Sequence, residues 1–320
     1  APSPPTATTV KKHDPQSWNY VWKTFLAGGI AGCAAKSAVA PLDRVKILFQ
    51  TNSPHFAHHR GSLSGVFRAA LDIRNQHGLG GLFQGHSATL IRIFPYAAIK
   101  FMAFEQYKHV IFPKEGRAGP GHQLLAGSLA GVTSVFFTYP LEVIRVRLAF
   151  SRDPHSLRSL LKVMWHEKPH VHHPLPKVFP EGLANFYRGF LPTVYGMIPY
   201  AGVSFATYES TKRHVRDTFP GWSNSGTHLV AGGLAGAISQ TVAYPFEVIR
   251  RRMQVSGQFH VESFEARVYR TTVETARYIW RHHGIKGFFV GLSIGYMKVV
   301  PMSMVSFWTY EASKRMLGIE

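Results

Sequence analysis

The sequence predicts an all-α membrane protein of three tandem repeats, with six transmembrane helices around a central cavity and pseudo-three-fold symmetry. Three observations carry that prediction. The motif PLDRVK at Pro41 returns as PLEVIR at Pro140 and PFEVIR at Pro245, the prolines lying 99 and 105 residues apart. A second motif, FEQYK at Phe104, returns as YESTK at Tyr208 and YEASK at Tyr310, each nine residues after a further proline, Pro95, Pro199 and Pro301. A period near 100 residues marks units that bury their apolar surface only against one another. Third, 45% of residues are apolar, yet mean hydropathy is only −0.04. That mixture suits helices with lipid on one side and a water-filled interior on the other, because charges inside a span are tolerated where they face a cavity or a partner.

In chain order, the opening APSPPTATTVKKHDP lacks the apolar core of a signal peptide. Residues 1–17 are therefore expected to be a disordered tail, with any targeting signal internal. Repeats follow at 18–116, 117–221 and 222–320, with spans expected at 18–50, 88–110, 122–150, 192–215, 227–255 and 292–316. Each odd span carries glycines four apart, Gly28 and Gly32, Gly127 and Gly131, Gly232 and Gly236, a bare surface expected to pack closely on another helix. The motif proline then removes a backbone hydrogen bond and favours an inward kink. Between odd and even spans lie amphipathic stretches, such as VFRAALDIRNQHG from Val66, that read as surface helices on one side of the membrane. Each ends in glycines seven apart, Gly78 and Gly85, Gly182 and Gly189, Gly284 and Gly291, the second always twenty residues before the Glu of the second motif. The extra segment 166–180, HEKPHVHHPLPKVFP, has neither cysteines nor helical ligand spacing, so it is expected to be a solvated loop and not a metal site.

With 36 Lys and Arg against 17 Asp and Glu, the formal charge of +19 points to nucleic acid, anionic lipid or an anionic solute. Glycine- and aromatic-rich spans argue against nucleic acid. The lone Cys33 excludes an internal disulfide and reads as a packed thiol. There is no phosphate-binding GxxxxGK[ST] loop, no GxGxxG, no zinc spacing and no nucleophile motif, so no enzyme and no catalytic residue are expected.

Within each motif the acid and base are three apart, on one helix face. Both motifs lie toward the C-terminal ends of their spans. Because successive spans are antiparallel, odd-span charges gather at one membrane face and even-span charges at the other, which gives two gates. Pairing each acid with the next repeat's base predicts one ring of Asp43 with Arg145, Glu142 with Arg250 and Glu247 with Lys46. The other ring pairs Glu105 with Lys212, Glu209 with Lys314 and Glu311 with Lys108.

Two motifs, each tripled in fixed order, resemble the mitochondrial carrier family of solute transporters along nearly the whole chain. The resemblance implies a functional monomer in the inner mitochondrial membrane with both termini toward the intermembrane space. It also implies surface helices on the matrix side, a matrix gate at the odd-span ring with glutamine braces at Gln50 and Gln254, and a cytoplasmic gate at the even-span ring. In carriers the residues seven after the closing glycines, here Arg92, Gly196 and Lys298, face the cavity and contact the solute. Arg92 and Lys298 suit phosphate, Gly196 with Met197 leaves a flat apolar slot for a purine, Tyr200 lies one turn on, and Lys36 and Lys100 add charge. The stretch LAGGIAGCAAKSAVAPLDRVKILFQ is similar to the ADP/ATP carriers. After Arg250, Arg251 and Arg252, however, Met253, Gln254 and Val255 replace their three methionines. The whole chain is more similar to the coenzyme A carriers of the Graves-disease-autoantigen type. Lys36, Arg92, Lys100 and Lys298 supply four positive charges, against roughly −4 for the phosphates of coenzyme A.

Expected solutes are thus coenzyme A, ADP or adenosine 3′,5′-diphosphate, moved by alternating access in an antiport. The alternatives are an ADP/ATP-type exchanger or, in another class, a proton leak or non-transporting platform. No cofactor is expected beyond structural cardiolipin, which the family binds at the frames marked here by Gly85, Gly189 and Gly291. Tyr187 and Arg188 should make the second frame the strongest of the three.

Overall fold

The computed structural model describes residues 18–53, 56, 62–112, 119–151, 157–167, 180–219, 221, 223–256, 269 and 271–318. The tail 1–17 and all but the ends of the segment 166–180 lie outside the described residues. Every regular element among the described residues is helical. The first repeat comprises α1 (Trp18–Ala38), α2 (Ala40–Gln50), α3 (Leu63–Leu82) and α4 (His86–Ile111). The second comprises α5 (Pro120–Phe150), α6 (Leu157–His166), the single turn α7 (Glu181–Ala184) with a 3₁₀ turn (Asn185–Tyr187), and α8 (Phe190–Thr218). The third has α9 (Asn224–Val255), α10 (Thr272–His283), a 3₁₀ turn (Ile285–Phe289), α11 (Leu292–Met297) and α12 (Val299–Leu317). Helix α4 packs along α5, α8 along α9, and α1 along α12, which closes the ring.

Three stretches, His86–Ile111, Gly121–Phe150 and Ile285–Leu317, are long and apolar enough to cross a membrane, and α1 with α2 passes as one bent span. Helices α8 and α9, of 29 and 32 residues, are long enough but less apolar; both give polar side chains to the cavity. The motif proline acts differently in the three repeats. Helices α5 and α9 run through Pro140 and Pro245, whereas the chain breaks at Val39 and α1 and α2 diverge by 59°. The residue before the proline is Ala40 in the broken helix and a buried tyrosine, Tyr139 or Tyr244, in the continuous ones. The tyrosine hydroxyls donate to the carbonyls of Arg188 and Val290 at 3.0 Å, tying that turn to the glycine frames.

Apolar burial is concentrated at one end, where surface helices pack on the C-terminal halves of the odd spans. Val45, Leu48 and Phe49 of α2 meet Val66, Ala69 and Ile73 of α3, and Val143, Ile144 and Leu148 of α5 meet Leu160 and Met164 of α6. Ile47, Val146, Ala149 and Val255 come together from all three repeats as an apolar plug. The closing glycines Gly85, Gly189 and Gly291 cap α4, α8 and α11 with φ of 82, 79 and 83°, where a side chain is strained. A Cβ at Gly85 or Gly189 would also fall 2.7 or 2.9 Å from a carbonyl oxygen of the next repeat. That double constraint explains the constant frames. The paired glycines meet the expectation only in part: Gly127, Gly131, Gly232 and Gly236 line the cavity, and a Cβ at Gly28, Gly127, Gly232 or Gly236 would meet nothing within 4 Å. In this conformation those four face open space, whereas a Cβ at Gly131 would fall 2.9 Å from the Met197 methyl of α8 and one at Gly32 3.8 Å from Ile93 of α4.

Candidate functional site: a cavity closed at one end

The helices enclose a cavity of about 1090 Å³, with a floor at the odd-span motifs. Asp43 and Glu142 are buried there, and each holds two cations. Asp43 pairs with Arg145 and with Lys298, both at 2.8 Å. Glu142 pairs with Arg92 at 2.7 Å and with Arg251 at 2.6 Å, while Lys46 reaches Glu247 at 2.9 Å. Two of the three predicted partnerships therefore form. The third is corrected, because Glu142 takes Arg251 in place of Arg250. Arg250 lines the cavity with its Nε buried and unpartnered among the described residues. Adjacent helical residues point about 100° apart, so when two arginines follow one another only packing selects the one that meets the carboxylate.

The glutamines close contacts between repeats. Gln50 donates to the Tyr244 hydroxyl at 2.9 Å and Gln254 to the Tyr139 hydroxyl at 3.0 Å, while Arg251 donates to Gln254 Oε1 at 3.0 Å. At the remaining junction both partner positions are alanine, Ala149 and Ala40. A ring of backbone contacts lies beside these. Arg147 donates through Nε to the Gln254 carbonyl at 2.9 Å, Arg252 to the Gln50 carbonyl at 3.3 Å, and Arg44 to the Ala149 carbonyl at 3.2 Å. Each repeat thus places a buried guanidinium on the last turn of its neighbour's odd span, where carbonyls lack intrahelical partners and the helix dipole favours a cation. The sequence signal was present, since Arg147 and Arg252 both lie seven residues after the motif proline, but the first repeat uses Arg44, one turn earlier, and hides the pattern.

The opposite end is open. Glu105, Glu209 and Glu311 do not reach across repeats; each pairs inside its own helix, with Lys108 at 3.4 Å, Lys212 at 3.9 Å and Lys314 at 3.7 Å. The predicted inter-repeat pairs of this ring are absent in this conformation. Such exposed i,i+3 pairs contribute roughly 0–1 kcal/mol each.

Arg92, Gly196 and Lys298 all line the lower cavity, as do Lys36, Lys100, Met197 and Tyr200. Arg92 sits 5.5 Å from the Tyr96 ring, and Lys36 Nζ lies 3.6 Å from the Met302 sulfur. The slot at Gly196 differs from expectation, because its missing side chain is already replaced by Phe246: a Cβ at Gly196 would fall 2.9 Å from Phe246 Cβ. Met197 and the Phe246 side chain therefore shape this wall. The signal for Phe246 was its place in the motif, where the other copies have Leu42 and Leu141.

At the glycine frames, Tyr187 stacks with Tyr139 and lies against Phe136 and Phe190. Arg188 turns inward and is buried, held by Glu167 at 2.8 Å, Asn185 at 2.9 Å and Ser256 at 3.2 Å. Burial and the neighbouring Arg147 push its pKa down to about 10 against the pull of Glu167, which leaves it charged at neutral pH. Its guanidinium is thus committed inside the protein.

Residues 17–115, 116–219 and 221–320 each match the mitochondrial carrier protein family. The chain belongs to the mitochondrial carrier family. It is 42% identical over 337 residues to the mitochondrial carrier protein LEU5 of Saccharomyces cerevisiae, covering 96% of this chain and 93% of that protein. It is 44% identical over 315 residues to human solute carrier family 25 member 16, covering 93% and 89%. To the mitochondrial carrier protein CoAc2 of Zea mays it is 39% identical over 314 residues, covering 93% and 87%. This carrier is accordingly a multi-pass transporter of the inner mitochondrial membrane and not an enzyme.

Proposed function

We propose that this carrier moves coenzyme A, or an adenine nucleotide sharing its 3′-phospho-ADP moiety, by alternating access as a monomer. The observation that carries the reading is the double engagement of the two contact-point cations: Arg92 is shared with Glu142 and Lys298 with Asp43. Phosphates arriving at Arg92 and Lys298 compete with these carboxylates, leaving each gate acid with one cation in place of two. Binding thereby loosens the floor that it lies on, which is how a solute favours an intermediate over either end state. Phe246 and Met197 offer the adenine a face, and Lys36 and Lys100 balance the remaining charge.

The odd-span ring, Asp43, Lys46, Glu142, Arg145, Glu247 and Arg251 with Gln50 and Gln254, forms the matrix gate in this reading. The even-span ring forms the cytoplasmic gate, both termini face the intermembrane space, and the structure described is the state open to that side. Cardiolipin sits at the helix N-termini capped by Gly85, Gly189 and Gly291, whose free N–H groups favour phosphate. Purified carrier in liposomes, challenged with radiolabelled coenzyme A, ADP, ATP and adenosine 3′,5′-diphosphate, tests the assignment. Saturable uptake of coenzyme A or adenosine 3′,5′-diphosphate, accelerated by internal nucleotide, is expected; ADP and ATP exchange alone would replace this reading with the ADP/ATP type.

A further inference from the structure

The cavity is electrically two-sided. All seven cations that line it belong to the first and third repeats. The second repeat contributes nearly half of the wall and a single charge, Glu142, at the floor. Above that floor the wall formed by α5, α8 and α9 is uncharged, with small residues, Gly127 and Ser128 on α5, Ser204 on α8 and Gly236 on α9, set among larger ones such as Leu124, Phe205 and Tyr208. Nothing lies within 4 Å of a Cβ built at Gly127 or Gly236. The strip is open space at helix-backbone depth. It is also long, since Tyr208 is twelve residues beyond Gly196, about 18 Å along α8 at 1.5 Å per residue. Tyr208 is fixed at its upper end by a 2.7 Å hydrogen bond to His228.

A polyanion is held on the cationic side and finds nothing to pair with on this one. A ligand that filled both sides would be charged at one end only, with an uncharged extension that leaves the floor along the second repeat. We propose that the strip between α5, α8 and α9 is a subsite for an uncharged, flexible, amide-bearing arm of the transported nucleotide, of the pantetheine type, with Ser128 and Ser204 supplying hydroxyls to its amides. This rests on the nucleotide reading above and adds to it: the phosphates identify the class, and the neutral strip selects the member that carries an arm. Adenosine 3′,5′-diphosphate has the charges without the arm and leaves the strip empty.

Ligand-induced thermal stabilisation of the full chain in detergent separates the two sides, because stabilisation reports affinity for the folded state independently of turnover. Coenzyme A is expected to bind about tenfold more tightly than adenosine 3′,5′-diphosphate. Gly127→Leu and Gly236→Leu, whose Cβ atoms meet nothing within 4 Å, should lower coenzyme A affinity about tenfold while leaving adenosine 3′,5′-diphosphate within about twofold. Ser204→Ala, which removes only the hydroxyl, should lower coenzyme A affinity alone. Equal affinities of the two ligands for the parental protein, or equal losses for both in the leucine variants, would overturn the subsite. Stabilisation by neither ligand in the parental protein is a different result, which removes the nucleotide reading and the subsite with it.

Discussion

Asp43 and Glu142 each serve two cations, so the partner removed decides what a substitution tests. Arg92→Ala leaves Glu142 with Arg251, and Lys298→Ala leaves Asp43 with Arg145. Both variants should fold and still close the floor while losing a phosphate donor. A charged hydrogen bond is worth roughly 1.5–3 kcal/mol, or about ten- to a hundred-fold in affinity, so coenzyme A uptake at low concentration should fall by that factor, with a lowered melting temperature because each buried acid keeps one cation in place of two. Uptake at the parental rate in both would place the solute elsewhere. The gate itself is read by charge reversal. Glu142→Arg should abolish transport, with partial recovery on adding Arg251→Glu and less on adding Arg250→Glu; equal recovery by either would contradict the pairing. The acids of this ring were legible because a period of about 100 residues exposes them. The choice of Arg251 over Arg250 was not, since the repeat register points to Arg250, in line with Lys46 and Arg145, and only packing turns its neighbour onto Glu142. Phe246 was missed for the opposite reason: its signal, an aromatic in one copy of three, lies hidden inside the repeat motif.

At the level of elements, the even spans α4, α8 and α12 end in charges that pair within each helix, and in the proposed alternating access those pairs exchange for ones between repeats when the open end closes. A cross-linking experiment follows from that geometry. In a Cys33→Ser background, cysteines replacing Glu105 and Lys212 should cross-link slowly with a short bifunctional reagent in the resting protein and several-fold faster under turnover with coenzyme A. A rate indifferent to solute would mean that α4 and α8 do not approach one another in the transport cycle. The close contact expected of the glycine pairs is present at Gly131 and Gly32 and absent at the other four, because close packing of helices is a property of one conformation while sequence spacing is common to all. The break at Val39 was equally hidden. All three prolines predict a kink, and what separates α1 and α2 from the continuous α5 and α9 is the residue before the proline, alanine in one and an anchored tyrosine in the others.

Across the whole molecule, the excess of positive charge and the shape of the cavity act together. Seven cations and two carboxylates line a vessel open at one end, and low-dielectric walls focus that field toward the mouth and attract anions from a distance. Salt screens such a field, with a Debye length of about 10 Å at 0.1 M falling to 3 Å at 1 M. Two opposing effects are expected on raising ionic strength: capture of the anionic solute weakens, while the floor, whose ion pairs are buried and partly dry, changes less. The apparent KM for coenzyme A should therefore rise steeply with salt over this range while the maximal rate varies little, and the rise should be steeper than for a nucleotide with fewer phosphates, because the attraction scales with solute charge. Initial uptake rates measured at matched osmolarity with potassium chloride decide the matter. A KM unchanged by salt would show that the cationic wall does not draw the solute in. A maximal rate that falls in parallel with affinity would place the salt-sensitive step in the gates themselves.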